Sequence, residues 1–172
     1  MRLFIAVKLS KEVQEAAVEI QDQFQKLYAD GRFSPQENLH LTLAFIGEYP
    51  DPDEVLEILE PLEFAPFQIT MDKVGCFDGL WWTGFAKSKE LENLAGQVRH
   101  LLSDADIPYD KKKFRPHVTL LRNARYYSGK PPYLEIRPVS MMVDHFCLMR
   151  STRGKHGMIY TELGSVAASQ SK

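Results

Sequence analysis

Only two cysteines occur in 172 residues, Cys76 and Cys147, far apart in sequence and neither in a CxxC pair. This excludes the paired-thiol patterns of zinc and redox sites, and both are expected as buried, reduced thiols. No stretch approaches the roughly 18 consecutive apolar residues of a spanning helix. The N-terminus MRLFIAVKLSKE turns charged too soon for a signal-peptide core. A soluble, cytoplasmic protein with no membrane partner is the expectation. There is no HExxH, and the five histidines are scattered at 40, 100, 117, 145 and 156. No metal and no cofactor are therefore expected. Low-complexity segments and long linkers are also missing, which leaves a single domain over residues 1–172.

Charge is unevenly placed. Residues 1–100 carry 9 Lys/Arg against 17 Asp/Glu, and residues 101–172 carry 12 against 6, so a net charge of -2 divides into -8 and +6. The basic half contains KKKFR at 111–115, Arg122, Arg125, Lys130 and RSTRGKH at 150–156. Such a half can present a positive face to an anion, or these residues can be solvated loop charges.

RLFIAVK at 2–8 reads as a buried strand. Ser10 then caps a helix with apolar positions Val13, Ala17, Ile20, Phe24 and Leu27, closed by Gly31. After a polar loop, HLTLAFIG at 40–47 reads as a second strand, and Asp51-Pro52 with Glu54 opens a short helix. FQITMDKVGCF and LWWTGFA form strands about Asp78-Gly79, a hairpin signal, and Ser88 starts a third helix. Residues 139–151 and 157–163 read as two further strands. The apolar stripe 13, 17, 20, 24 recurs at 91, 95, 98, 102, an offset of 78. Phe4 and Trp81 are 77 apart, as are His40 and His117. Strand, helix, loop and HxT strand recur in one order, an internal duplication of about residues 2–47 and 80–121.

The tetrapeptides at the end of each unit are HLTL (40–43) and HVTL (117–120). Random order gives roughly 0.17 HxT matches in a chain with this many His and Thr. Two aligned copies are a signal. On a strand, residues i and i+2 share a face, so His40 and Thr42 face one way and Leu41 and Leu43 the other. His117 and Thr119 repeat the arrangement. A pseudo-twofold axis would oppose the two imidazoles across one pocket. In-line displacement at phosphorus needs one group to take a proton and another to give one, and histidine does either near neutrality. The threonine hydroxyls would hold non-bridging oxygens. A 2',3'-cyclic phosphate suits such a site without demanding a metal.

RLFIAV, ENLHLTLAFIGE, VGCFDGLWWTG and FRPHVTLLR together resemble the two-histidine phosphoesterases. Within them they are most similar to the LigT-like RNA 2',3'-cyclic phosphodiesterases, also called 2'-5' RNA ligases. The resemblance spans nearly the whole chain. It implies a bilobal α+β fold in which two mostly antiparallel sheets flank a central cleft with helices outside. It implies that His40 protonates the leaving 3' oxygen, that His117 activates water, and that the product is a 2'-phosphate. Thr42 and Thr119 would contact the phosphate, and Arg122 falls where the family carries a basic residue able to steady transition-state charge. Arg122 also reads as a solvated strand-end charge. Where relatives often carry Trp before the first motif this chain has Phe33, a candidate base-stacking residue.

The expected partner is an RNA end bearing 2',3'-cyclic phosphate, with reversible 2'-5' ligation as a side activity and no obligate protein partner. Two other readings remain open at this point. One is the same chemistry on nucleoside or sugar cyclic phosphates, and the other is a nucleotide-binding module without turnover. The polar segment 104–115, next to the second motif, is a candidate lid.

Overall fold

RLFIAVK is buried at its five central positions and forms strand β1 (Arg2–Lys8). The computed structural model describes residues 1–27 and 29–169, so the last three residues of the expected 1–172 domain lie outside the described residues. Helix α1 (Lys11–Lys26) follows, and the Val13 amide donates to the N-cap Ser10 Oγ at 3.2 Å. Its C-cap is Leu27, four residues short of the expected stop at Gly31. Leu27, expected on the apolar stripe, is consequently 47% exposed. Gly31 lies instead in a strand that the polar sequence ADGRF concealed, β2 (Ala29–Phe33). A Cβ on Gly31 would stand 2.5 Å from Leu121 Cδ1, so close approach to a neighbouring strand explains the glycine.

A 3-10 turn at Gln36–Asn38 leads into β3 (His40–Glu48). Asp51 caps α2 (Pro52–Leu59) through the amides of Asp53 and Glu54. Strands β4 (Phe67–Phe77) and β5 (Leu80–Phe85) make the expected hairpin. Asp78 and Gly79 have φ of 48° and 75°, the sign that a tight I′ turn requires. Ser88 caps α3 (Lys89–Asp104), and β6 (His117–Tyr126), β7 (Val139–Val143), β8 (His145–Gly154) and β9 (Gly157–Ala167) complete the chain. Residues 139–151, expected as one strand, are broken at Asp144, where the chain leaves one sheet for the other.

The strands form two antiparallel sheets, ordered β3-β1-β8-β9 and β2-β6-β5-β4-β7. Each HxT strand therefore lies beside the first strand of its own unit. The helices cross over: α1 follows β1 of the first sheet yet packs on β2, β6 and β7 of the second, and α3 follows β5 of the second yet packs on β3 of the first. One continuous apolar cluster joins both sheets and all three helices. Neither half can bury its apolar stripe without the other. Cys147 is buried as expected, whereas Cys76 is exposed because β4 runs out past the core toward the hairpin turn. Among the described residues, no helix is long and apolar enough to cross a membrane.

Phe24 joins α1 to the second sheet, with its ring 5.0 Å from that of Trp81 and no exposed surface. Phe24→Ala should cost about 3–5 kcal/mol of unfolding free energy in urea titrations with the m-value retained. A loss below about 1 kcal/mol would show that the helix exchange does not hold the halves together.

Candidate functional site

One cleft takes Thr42 of the first HxT strand and His117 of the second into its lining, with His40 Nε2 2.9 Å from Thr42 Oγ1 and near enough for the charge of His117 to act on it. It measures about 500 Å³ and is lined by Thr42, Phe45 and His117, with Arg99 and the segment 110–115 along one side. Both imidazoles are held alike. His40 Nδ1 lies 2.7 Å from the Asn38 carbonyl oxygen, and His117 Nδ1 lies 2.6 Å from that of Arg115. A carbonyl only accepts, so each Nδ1 carries the proton and Nε2 is the nitrogen turned away from the backbone. The Asn38 side chain in turn donates to the Met158 carbonyl at 2.9 Å, fixing the turn that presents His40.

Beyond that shared bond the two sites differ. His40 Nε2 meets Thr42 Oγ1 at 2.9 Å. The His40 ring packs 4.8 Å from Phe4 and edge-on to Tyr160 at 5.2 Å. His117 is exposed. Burial pushes the His40 pKa below the ordinary 6.5, with the charge of His117 adding to the shift and the Asn38 carbonyl opposing it.

Thr119 shares the cleft face of β6 with His117. Arg122 is three residues further on and would point the other way on a regular strand. The register between β5 and β6 slips between Trp81 and Trp82, placing an extra residue between Thr119 and Leu121. Leu120 and Leu121 are both fully buried, and Arg122 returns to the cleft face, exposed and paired with Arg32 of β2. The bulge is held from behind, because the Leu120 carbonyl accepts from buried Gln21 Nε2 and from the Ser34 amide, both at 2.9 Å. Phe33 is not brought to the cleft. It pairs with Leu121 and packs toward the core, 6.5 Å from the Phe24 ring.

The model of the 2'-5' RNA ligase superfamily matches residues 7–155. The chain belongs to this superfamily. An RNA 2',3'-cyclic phosphodiesterase of Thermotoga maritima is 32% identical over 95% of this chain and 93% of its own length. One of Thermus thermophilus is 35% identical over 95% and 88%. The solved structure of E. coli LigT complexed with 3'-AMP superposes with a TM-score of 0.83 at 28% identity, covering 98% of each chain. The LigT-like α+β architecture expected from the sequence is thus the one observed.

In this member of the superfamily the segment beside His117 is tied down. Arg99, which no sequence signal marked, donates through Nε to the Leu43 carbonyl at 3.1 Å and through a terminal nitrogen to the Lys112 carbonyl at 2.7 Å. Its guanidinium lies over the rings of Tyr109 and Phe114 at 5.9 and 5.6 Å. The Asp110 amide bonds the Phe45 carbonyl at 2.8 Å. Of the basic run, Lys112, Lys113 and Arg115 line the cleft, and together with Arg99 they outnumber the single carboxylate there, Asp110. Among the described residues no group of three or more His, Cys, Asp or Glu is placed to hold a metal ion.

Arg99→Ala should speed hydrogen exchange of the Asp110 amide at least tenfold and lower stability by about 2 kcal/mol. Arg99→Lys should not restore protection, since an ammonium lacks the planar fork that serves two carbonyls. Unchanged exchange in Arg99→Ala would show that the loop holds itself.

For His40 the sign follows from burial. The unfolded chain takes up its proton near 6.5 and the folded chain only below it, so stability rises with pH across that interval and this contribution is complete above it. NMR titration should give a His40 midpoint below 6.5 in phosphate-free buffer. Added inorganic phosphate should move it upward, because a bound anion favours the imidazolium. A midpoint at or above 6.5 without phosphate would contradict the burial account.

Proposed function

We propose that this chain hydrolyses RNA ends bearing 2',3'-cyclic phosphate to 2'-phosphomonoesters by acid–base catalysis between His40 and His117. The observation that carries this reading is the repeated Nδ1–H bond to the carbonyl two residues back, which leaves Nε2 as the reacting nitrogen of both rings, with His117 lining a basic cleft and His40 Nε2 against Thr42 Oγ1 of the same lining. The curated relatives named RNA 2',3'-cyclic phosphodiesterase support the reaction class.

Exposed His117 suits the base. Its Nε2 takes a proton from water as the water oxygen bonds to phosphorus. The bond from phosphorus to the 3' oxygen breaks in line, and that oxygen takes the proton of His40 Nε2. His40 ends neutral, His117 ends cationic, and exchange with solvent restores both. In the free protein His40 is biased toward the neutral form, and the arriving phosphate supplies the negative charge that favours its protonation. Thr42 and Thr119 hold the non-bridging oxygens, and Arg122 adds charge from the same face of β6. If a 5'-hydroxyl replaces water, the same two proton transfers give a 2'-5' linkage, and run backward they break it.

The unit that does this is one domain, with the duplicated segments of about 2–47 and 80–121 each supplying one HxT strand. A reducing cytoplasmic setting agrees with its two free cysteines.

A short RNA ending in 2',3'-cyclic phosphate, incubated with chelator, should give a 2'-phosphate by phosphorus NMR. His40→Ala and His117→Ala should each lower the rate by ~10² to 10⁴. Binding without turnover by the pure wild type, across a pH series, would leave a nucleotide-binding module in place of an enzyme.

A further inference from the structure

Trp81 and Trp82 are neighbours in β5 with opposite fates. Trp81 is 8% exposed, lies in the core against Phe24 and donates its indole N–H to Tyr126 Oη at 2.6 Å. Trp82 alternates to the other face, directly across from Thr119, and is partly exposed. Its ring lies flat on the sheet because two glycines leave the surface bare. A Cβ on Gly75 would stand 2.1 Å from Trp82 Cζ2 and 2.6 Å from Cε2, and one on Gly84 would stand 2.9 Å from Cζ3. Glycine inside a strand marks the close approach of something, and here it is one face of an indole.

We propose that the other face of Trp82 is the platform on which the base of the cyclic-phosphate-bearing nucleotide stacks. The pairing places it well. Gly84, under one edge of the ring, is the partner of His117, and the rest of the ring lies over Gly75 of β4, so the indole covers the sheet surface one strand in from the His117 strand. Base and cyclic phosphate are carried on neighbouring atoms of one ribose, so a base stacked here keeps the phosphate within one ribose of the strand that carries His117. Lys73, across from Gly84, runs its stem over that glycine beside the indole, with its ammonium 3.9 Å from the Asp72 carboxylate.

In the first sheet the residue across from Thr42 is Ala6. The two walls of the cleft are therefore unequal, and the broad one fixes which side takes the nucleoside. Stacking on an indole is tolerant of base identity, since every base has a π-face. The site then selects for the presence of a base and little for which one.

The inference rests on the cyclic-phosphate reading, and the test separates the two. Wild type is compared on adenosine 2',3'-cyclic phosphate and on the base-free methyl riboside 2,3-cyclic phosphate. The nucleoside should be favoured in kcat/KM by roughly 5- to 150-fold, the range that stacking of one base covers. Trp82→Leu should collapse this ratio toward one, mainly through KM, and Trp82→Phe should keep part of it. Gly75→Ala should act like Trp82→Leu, since the new methyl displaces the ring. Thermal melts establish that the variants are folded. An unchanged ratio in folded Trp82→Leu overturns the platform.

If wild type turns over neither compound, the catalytic reading is judged by the RNA assay above and the platform by binding alone. Adenosine 2'-phosphate should quench tryptophan fluorescence in wild type but not in Trp82→Phe, and inorganic phosphate should quench neither. Equal quenching in both proteins, or none in wild type, overturns it.

Discussion

The Nδ1–H of each motif histidine donates to the carbonyl two residues before it, and the rest of the cleft is arranged around that bond. It fixes the ring tautomer, the direction of Nε2 and the depth at which the ring sits. A free histidine side chain would share its proton between two nitrogens and rotate. Bound this way, it offers one nitrogen in one direction, and the remaining work of the fold is to bring two such nitrogens to the same space. The residues just ahead of each strand are accordingly anchored. Asn38 is anchored to β9. Arg115 ends the loop that Arg99 secures at Lys112.

Bringing the two strands together is a task for the core. Because α1 packs on the second sheet and α3 on the first, the halves share one apolar cluster and cannot slide apart without opening it. A cleft between two lobes usually invites hinge motion. Here the lobes are interleaved, and the position of His40 relative to His117 is set by the same burial that makes the chain fold. The acidic N-terminal half and basic C-terminal half are likewise not two separate surfaces. Lys112, Lys113 and Arg115 of the basic half meet Thr42 of the acidic half in one cleft.

What could be read from sequence was what is local. The HxT alternation, the caps at Ser10, Asp51 and Ser88, and the Asp78-Gly79 turn depend on a few adjacent residues, and the structure holds each of them. What could not be read depends on a partner far along the chain. Gly31 resembles a helix stop until Leu121 is seen against it. Phe33 resembles an exposed aromatic until its pairing with Leu121 turns it toward the core. Arg99 sits on a helix among ordinary polar residues, and only the two carbonyls it reaches give it meaning. The extra residue in β6 is similarly invisible, because a bulge is a relation between two strands. Without it, the three-residue step from Thr119 to Arg122 would put the guanidinium in the core.

Opposed identical motifs would make a symmetric site, yet the reaction assigned to it is not symmetric. One group must hold a proton and the other must lack one. The structure breaks the symmetry through burial: His40 is wedged between Phe4 and Tyr160 with Thr42 on its Nε2, while His117 stands in the open. A buried imidazolium is the costlier species, and so the stronger acid once formed. An anion bound beside it offsets that cost before the chemistry and leaves with the product. On the proposed reading, the packing that lowers the His40 pKa makes its imidazolium a ready donor to a departing oxygen, while exposed His117 can pass the proton it gains back to water.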